Sequence, residues 1–266
     1  GRRAPDCRDH AGAYGSPAVL LRSGIGPAND LKGLGINTVL DLPGVGRNLH
    51  DHPAVILQYS SAKLFSVMDA FVADGHTPFT EQSLAKARSA GCADAYDLHV
   101  FPFTAAGPTP NRQWESFLSV ANMAPLSRGA LRLHSSDPTA LPIVDTGYLS
   151  DQDDTDLSVL MNGIELAREI ARQRPLANLI GEELPASARW VGREDVRAAC
   201  LHYYHPVGTC KMGPVSDPGA VVDALGRVHG TDNVYVADAS VIPTIPRANT
   251  NLPTLVVAER LVEGLT

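Results

Sequence analysis

Two periods of apolar spacing run through this chain, and they predict different elements. Leu157, Leu160, Met161, Ile164, Ala167 and Ile170 recur every three or four residues, the spacing that lines one face of an α-helix. The acidic run 151–156 precedes them, where negative charge complements the positive end of a helix dipole, and Pro175 closes the segment. Period-two or short apolar runs predict strands at 38–42, 54–60, 98–103, 114–123 and 129–134, the last alternating Leu131 and Leu133 with Arg132 and His134. The apolar run 233–237, ending at Asp238, predicts a further strand. Ser16 followed by Pro17 reads as an N-cap and a first helical residue, opening a short helix over 18–21. Further helices are predicted at 29–34, 193–201 and 254–264, the last entered through Pro253. Residues 1–10 are polar and predict an irregular start, and 70–95 give no clear periodicity. Strands and helices interleave, so the fold class is α/β in the mixed α+β sense.

Composition narrows the function classes. With 266 residues, 44% of them hydrophobic and 19% charged, the chain can bury one large core or two smaller ones. A net charge of −7 with no basic run speaks against nucleic acid as a partner. No apolar stretch reaches the roughly 18–20 residues of a transmembrane segment. Cys7, Cys92, Cys200 and Cys210 are scattered without a C-x-x-C pair, which suits a reduced, cytoplasmic protein and gives no metal site. The first residue is glycine, so the chain reads as an N-terminally truncated one in which a signal peptide can be neither seen nor excluded.

Three segments carry candidate chemistry. Gly12-Ala13-Tyr14-Gly15-Ser16-Pro17 and the following residues to Pro27 make a glycine turn feeding a helix start, a geometry that lets backbone approach a cofactor. Pro43-Gly44-Val45-Gly46-Arg47-Asn48-Leu49-His50-Asp51-His52-Pro53 packs polar side chains into a loop. Two histidines and one carboxylate do not make a zinc site, so these residues are assigned to hydrogen bonding of loop backbone. The third runs from His202-Tyr203-Tyr204-His205-Pro206-Val207-Gly208-Thr209-Cys210-Lys211-Met212 through Val236-Ala237-Asp238-Ala239-Ser240 to Arg247-Ala248-Asn249-Thr250-Asn251.

Together these segments resemble glucose–methanol–choline (GMC) oxidoreductases, flavoproteins that oxidise alcohols, in a choline-dehydrogenase-like form, and the resemblance covers roughly residues 11–265. It implies FAD as cofactor and His205, the histidine of the H-x-x-G-T stretch, as catalytic base. The family's second active-site position, histidine or asparagine, falls on Asn249. The implied cofactor-binding residues are Asp238, Ala239, Thr250, Asn251 and Leu252. The resemblance also implies a small-molecule alcohol substrate, with oxygen or a quinone as electron acceptor. Within 1–266 there is no G-x-G-x-x-G dinucleotide fingerprint, so the resemblance implies an incomplete FAD-binding Rossmann-type domain, 11–53 with 202–266, beside an antiparallel-sheet substrate domain at 54–201, and a strand at 233–238 that lacks its sheet partners. Two alternatives share the fold: a hydroxynitrile-lyase-like enzyme, or a non-catalytic fragment that binds no flavin. Cys210 reads as a small buried residue.

Overall fold

The computed structural model of the chain describes residues 7–60, 62–77, 83–106 and 114–264. In chain order the elements begin with β1 (Cys7–Asp9), α1 (Gly12–Arg22), β2 (Ile25–Gly26), α2 (Ala28–Gly33), β3 (Leu40–Asp41) and β4 (Ala54–Tyr59). They continue with α3 (Ala62–Ala73), β5 (Ala85–Ala87), β6 (Leu98–Ala106), β7 (Trp114–Asn122), β8 (Ala130–Arg132) and β9 (Ile143–Asp145). The last are α4 (Thr155–Ala171), α5 (Pro185–Ala188), α6 (Arg193–Ala199), β10 (Val234–Val236) and α7 (Asn251–Glu263). The chain divides into two compact units, the first made of Gly1–Asp51, Ser127–Ser150 and Tyr204–Thr266, the second of His52–Leu126 and Asp151–Tyr203. The excursion Ser127–Ser150, which position along the chain groups with the middle, makes its contacts with the first unit.

The second unit is built on an antiparallel sheet in the order β4-β7-β6-β5. Val55, Leu57, Leu98, Val100, Leu118 and Val120 are buried, as are Leu157, Leu160, Ile164 and Ala167 of α4. The helical stripe read from the sequence is therefore the face that α4 turns inward. Gly163 sits in that face, where a Cβ would lie 2.4 Å from Val120 Cγ1 and 2.9 Å from Leu98 Cδ2, so the missing side chain lets helix and sheet approach. Asp156, also buried, takes the Asn122 amide at 3.0 Å and the Leu126 N–H at 2.9 Å, tying the α4 start to the end of β7.

The first unit has no large sheet among its described residues. Short pairs, β1 with β10 and β2 with β3 parallel and β8 with β9 antiparallel, surround one core. That core joins Leu20, Leu21 and Leu31 to Leu131, Cys210, Val221, Val228, Val236 and Leu261. Four expectations need correction here. The start at 1–10 is not wholly irregular, because Cys7–Asp9 is a strand, and β10 accordingly has a partner: Cys7 lies opposite Val234 and Asp9 opposite Val236. Parallel pairing is carried by main-chain bonds such as Ala237 N–H to the Asp9 carbonyl at 2.9 Å, which polar side chains do not announce. Ser16 is not an N-cap, since α1 already starts at Gly12 and holds Pro17 in its interior. Helix α7 begins at Asn251 rather than 254; Pro253 is tolerated there because first-turn N–H groups have no intrahelical acceptor. The unassigned stretch 70–95 contains the end of α3 and all of β5, while 78–82 lies outside the described residues.

Candidate active site

A proline inside a helix leaves the carbonyl four residues earlier without its N–H donor. In α1 that carbonyl belongs to Ala13, and the buried Thr209 hydroxyl donates to it at 2.6 Å. Two sequence-distant segments are thus joined by one bond that the proline makes necessary. The N-terminus of α1 is closed in the same manner by Asp238, two residues past β10. Asp238 Oδ2 accepts the Gly12 N–H at 3.0 Å and the Ser16 hydroxyl at 2.5 Å, while Oδ1 accepts the Ser240 N–H at 2.7 Å. A carboxylate at a helix N-terminus meets both the unsatisfied donors and the positive dipole end.

Residues 205–212 run beside the turn 239–241. Gly208 N–H donates to the Ala239 carbonyl at 3.2 Å, Cys210 N–H to that of Ser240 at 2.8 Å, and Met212 N–H to that of Val241 at 2.9 Å. Gly208 has φ +91°, and a Cβ there would stand 2.5 Å from the Asn48 carbonyl oxygen, so only glycine fits between these strands of chain. Asn48 donates its amide to the carbonyls of Gly208 at 3.2 Å and Pro243 at 3.3 Å. His50 exchanges main-chain bonds with Val207, at 3.0 and 2.9 Å. Its ring Nδ1 accepts the Ile245 N–H at 3.3 Å, which leaves Nε2 to donate to Asn48 Oδ1 at 3.1 Å. Burial, with help from Arg128 and Lys211, pushes the His50 pKa down to about 3, so its ring is neutral. His50 thus holds neighbouring backbone, as the sequence suggested for it, and Asn48 does the same.

Asp51 does more than its spacing indicates. Its Oδ1 accepts the main-chain N–H of His205 at 2.9 Å, and its Oδ2 accepts the Tyr148 hydroxyl at 2.7 Å. His205 is buried, whereas His202, the other histidine of this segment, is exposed and lies in the other unit. Burial lowers the His205 pKa, and the Asp51 charge works against that shift. The residue before it, Tyr204, is 81% exposed with φ +62°, a left-handed backbone rare for a tyrosine. Strained backbone of this kind concentrates at functional sites.

The remaining sequence-predicted residues fall in the same unit. Asp238 lies two residues beyond β10 and caps the short helical turn Ala239–Val241, which Ala239 opens. Asn249 is exposed in the loop before α7, Thr250 is the buried N-cap, and Asn251 and Leu252 are the exposed first residues of that helix. Thr250 makes no side-chain capping bond. Cys210 is fully buried, which raises its thiol pKa. Among the described residues no three His, Cys, Asp or Glu side chains are grouped to hold a metal, and no helix is long and apolar enough to cross a membrane. Sequence reasoning missed Tyr148, which stands 97 positions from Asp51 in an unpatterned stretch.

Known proteins resemble this chain in sequence and fold. Two family models described as GMC oxidoreductase match residues 10–54 and 125–258. Human mitochondrial choline dehydrogenase is 34% identical over 275 residues, covering 95% of this chain and 46% of its own length. Oxygen-dependent choline dehydrogenase 1 of Chromohalobacter salexigens is 33% identical over 277 residues, covering 95% and 49%. The crystal structure of pyridoxine 4-oxidase from Mesorbium loti matches with a TM-score of 0.81 at 29% identity, over 97% of this chain and 51% of that one. A formate oxidase structure at 24% identity and a TM-score of 0.81 shows the same fold. The chain spans about half the length of the curated relatives it matches. With both family models, these relatives and these folds in agreement, the chain belongs to the GMC oxidoreductase family.

Proposed function

We propose that the first unit carries the proton-removing side of an FAD-dependent CH–OH oxidation site, with His205 as catalytic base. One observation carries the reading: a buried imidazole, kept neutral by that burial, on a loop whose main chain is pinned by a buried carboxylate. A neutral histidine accepts a hydroxyl proton near neutral pH without itself having to lose one.

The residues present fit the flavin. The first turn of α7 offers the N–H groups of Asn251 and Leu252, with Leu252 72% exposed and no side-chain cap in the way. A Cβ added at Gly12 would meet nothing within 4 Å, so there is room beside the start of α1. The Asp238 carboxylate is engaged by Gly12, Ser16 and Ser240, so Asp238 and Ala239 would meet the cofactor through main chain. Thr250, Asn251 and Leu252 would hold its anionic edge. When bound, the flavin supplies the acceptor for the carbinol hydride. His205 takes the hydroxyl proton, and the Asn249 amide donates to the substrate oxygen as alkoxide character develops. The antiparallel-sheet unit, 52–126 with 151–203, is proposed as the substrate domain. The relatives' names make choline and then pyridoxine the first alcohols to try, with oxygen or a quinone as final acceptor. Four free cysteines suit a cytoplasmic setting.

The test is anaerobic stopped-flow reduction of the flavin-loaded protein by these alcohols. His205→Ala should slow reduction by about 10²–10⁴-fold, the usual worth of a positioned base. His202→Ala should change it little, and Asn249→Ala should fall between. Asn251→Ala, two residues on, separates the two amides at the start of α7: a larger loss there than at 249 moves the substrate contact to Asn251. Unaltered reduction in His205→Ala would refute the base assignment.

A further inference from the structure

We infer that Asp51 and Tyr148 form a positioning pair for His205, the carboxylate fixing the histidine's main chain through one oxygen and being fixed by the tyrosine hydroxyl through the other. The inference rests on the reading of His205 as base, and goes beyond it in naming what sets that base in place.

Three observations carry it. Asp51 is only 4% exposed, and a buried carboxylate is held where donors meet it. Two of its donors come from points 154 and 97 positions away in the sequence, so the contact is a product of the fold and not of local chain geometry. Backbone strain flanks both. Tyr204 beside His205 has φ +62°, and Leu149 beside Tyr148 has φ +57°, left-handed conformations that neither side chain favours. Such conformations persist where surrounding contacts over-determine them. At both places the neighbouring residue is bonded to the same carboxylate, through its main chain in one case and its hydroxyl in the other.

The electrostatics agree. Desolvation lowers the His205 pKa and the Asp51 charge acts in the opposite direction, so the carboxylate offsets part of what burial does to the ring. The titratable and charged groups around this loop include Asp51, Tyr148, Tyr14, whose pKa is raised by burial and by Asp51, neutral His50 with Arg128 near it, and on the loop itself buried Cys210 and Lys211, which pairs with Asp217.

Asp51→Asn keeps an oxygen for the His205 N–H but removes the charge, and Tyr148→Phe removes the anchor while keeping the charge. Histidine-labelled protein titrated by NMR should show the His205 imidazole pKa in Asp51→Asn lowered by about 1 unit, the scale of one nearby opposite charge. Tyr148→Phe should leave that pKa within a few tenths of a unit. In the flavin-loaded protein both variants should lower kcat about tenfold or more, with KM changed less than about threefold, because positioning acts on the reacting geometry. An unmoved imidazole pKa together with unmoved kcat in Asp51→Asn would overturn the proposal. Should Asp51→Asn fail to fold, Tyr148→Phe decides: an unchanged kcat overturns it. Failure of the base reading looks different, since His205→Ala would then reduce its flavin normally whatever Asp51→Asn does.

Discussion

The bond from Thr209 to the Ala13 carbonyl can be tested against the proline that creates the need for it. Pro17 is the sixth residue of α1, and in a regular helix its N–H would go to Ala13. Thr209, 0% exposed, fills that role at 2.6 Å. Thr209→Val keeps the shape and removes the donor, leaving a buried carbonyl unsatisfied at a cost of about 1–3 kcal/mol. Pro17→Ala returns an N–H to the helix, so the carbonyl no longer depends on Thr209. Loss of the proline ring's packing is common to both backgrounds and cancels in a double-mutant cycle. The expected result is that Thr209→Val costs about 1–3 kcal/mol in the parent and less than about 1 kcal/mol with Pro17→Ala, a coupling of about 1–2 kcal/mol. Urea unfolding of the four proteins, with matched m-values, measures it. Additivity within about 0.5 kcal/mol would refute the reasoning, because the carbonyl would then be satisfied in some other way.

His50 bears on acid stability. Its folded pKa of about 3 lies below the ordinary 6.5, so the unfolded chain binds the extra proton first, and the stability it lends, on the order of a few kcal/mol, is full above pH 6.5 and lost as pH falls towards 3. His50→Gln should flatten the stability-versus-pH slope in that window, and an unchanged slope would show that other groups carry it. Gly163→Ala should lower the denaturation midpoint, since about 1 kcal/mol of helix propensity is outweighed by about 1–3 kcal/mol of overpacking against Val120 and Leu98. A raised midpoint would mean that α4 can shift outward at little cost.

The fold was legible where one face of an element meets a core. Helix α4 and strands β4, β6 and β7 were readable because apolar positions at the right period are what burial requires, and most of those positions in α4, such as Leu157, Leu160, Ile164 and Ala167, are buried. Strand β1 was not, because its sequence Cys7-Arg8-Asp9 carries no apolar face and its pairing rests on main-chain bonds to β10. The α1 start misled for a physical reason. Ser-Pro is a fair signal for a helix beginning, but here Ser16 donates to Asp238 and Pro17 is accommodated by Thr209, partners more than 190 positions away. Local propensity was overruled by tertiary hydrogen bonds that no window of sequence contains.

The candidate site shows the same limit more sharply. The polar residues of its motifs could be recognised as a set, yet side-chain type alone does not say which of them does chemistry and which holds chain. Asn48, His50, Ser16, Thr209 and Asp238 all hydrogen-bond backbone or capping groups in other segments, and each of those needs arises from a local irregularity. A proline inside α1 leaves a carbonyl that needs a donor, a glycine at 208 brings two segments of the chain within contact, and a helix start needs an acceptor. Asp51 belongs with them by its bonds, but the group it holds is the main chain of the one buried histidine on the 205–212 loop. A structural carboxylate placed there also acts on the ring's basicity through its charge. Support and charge then act through one residue, which is why a side chain that reads as loop scaffolding in the sequence also bears on the proposed base.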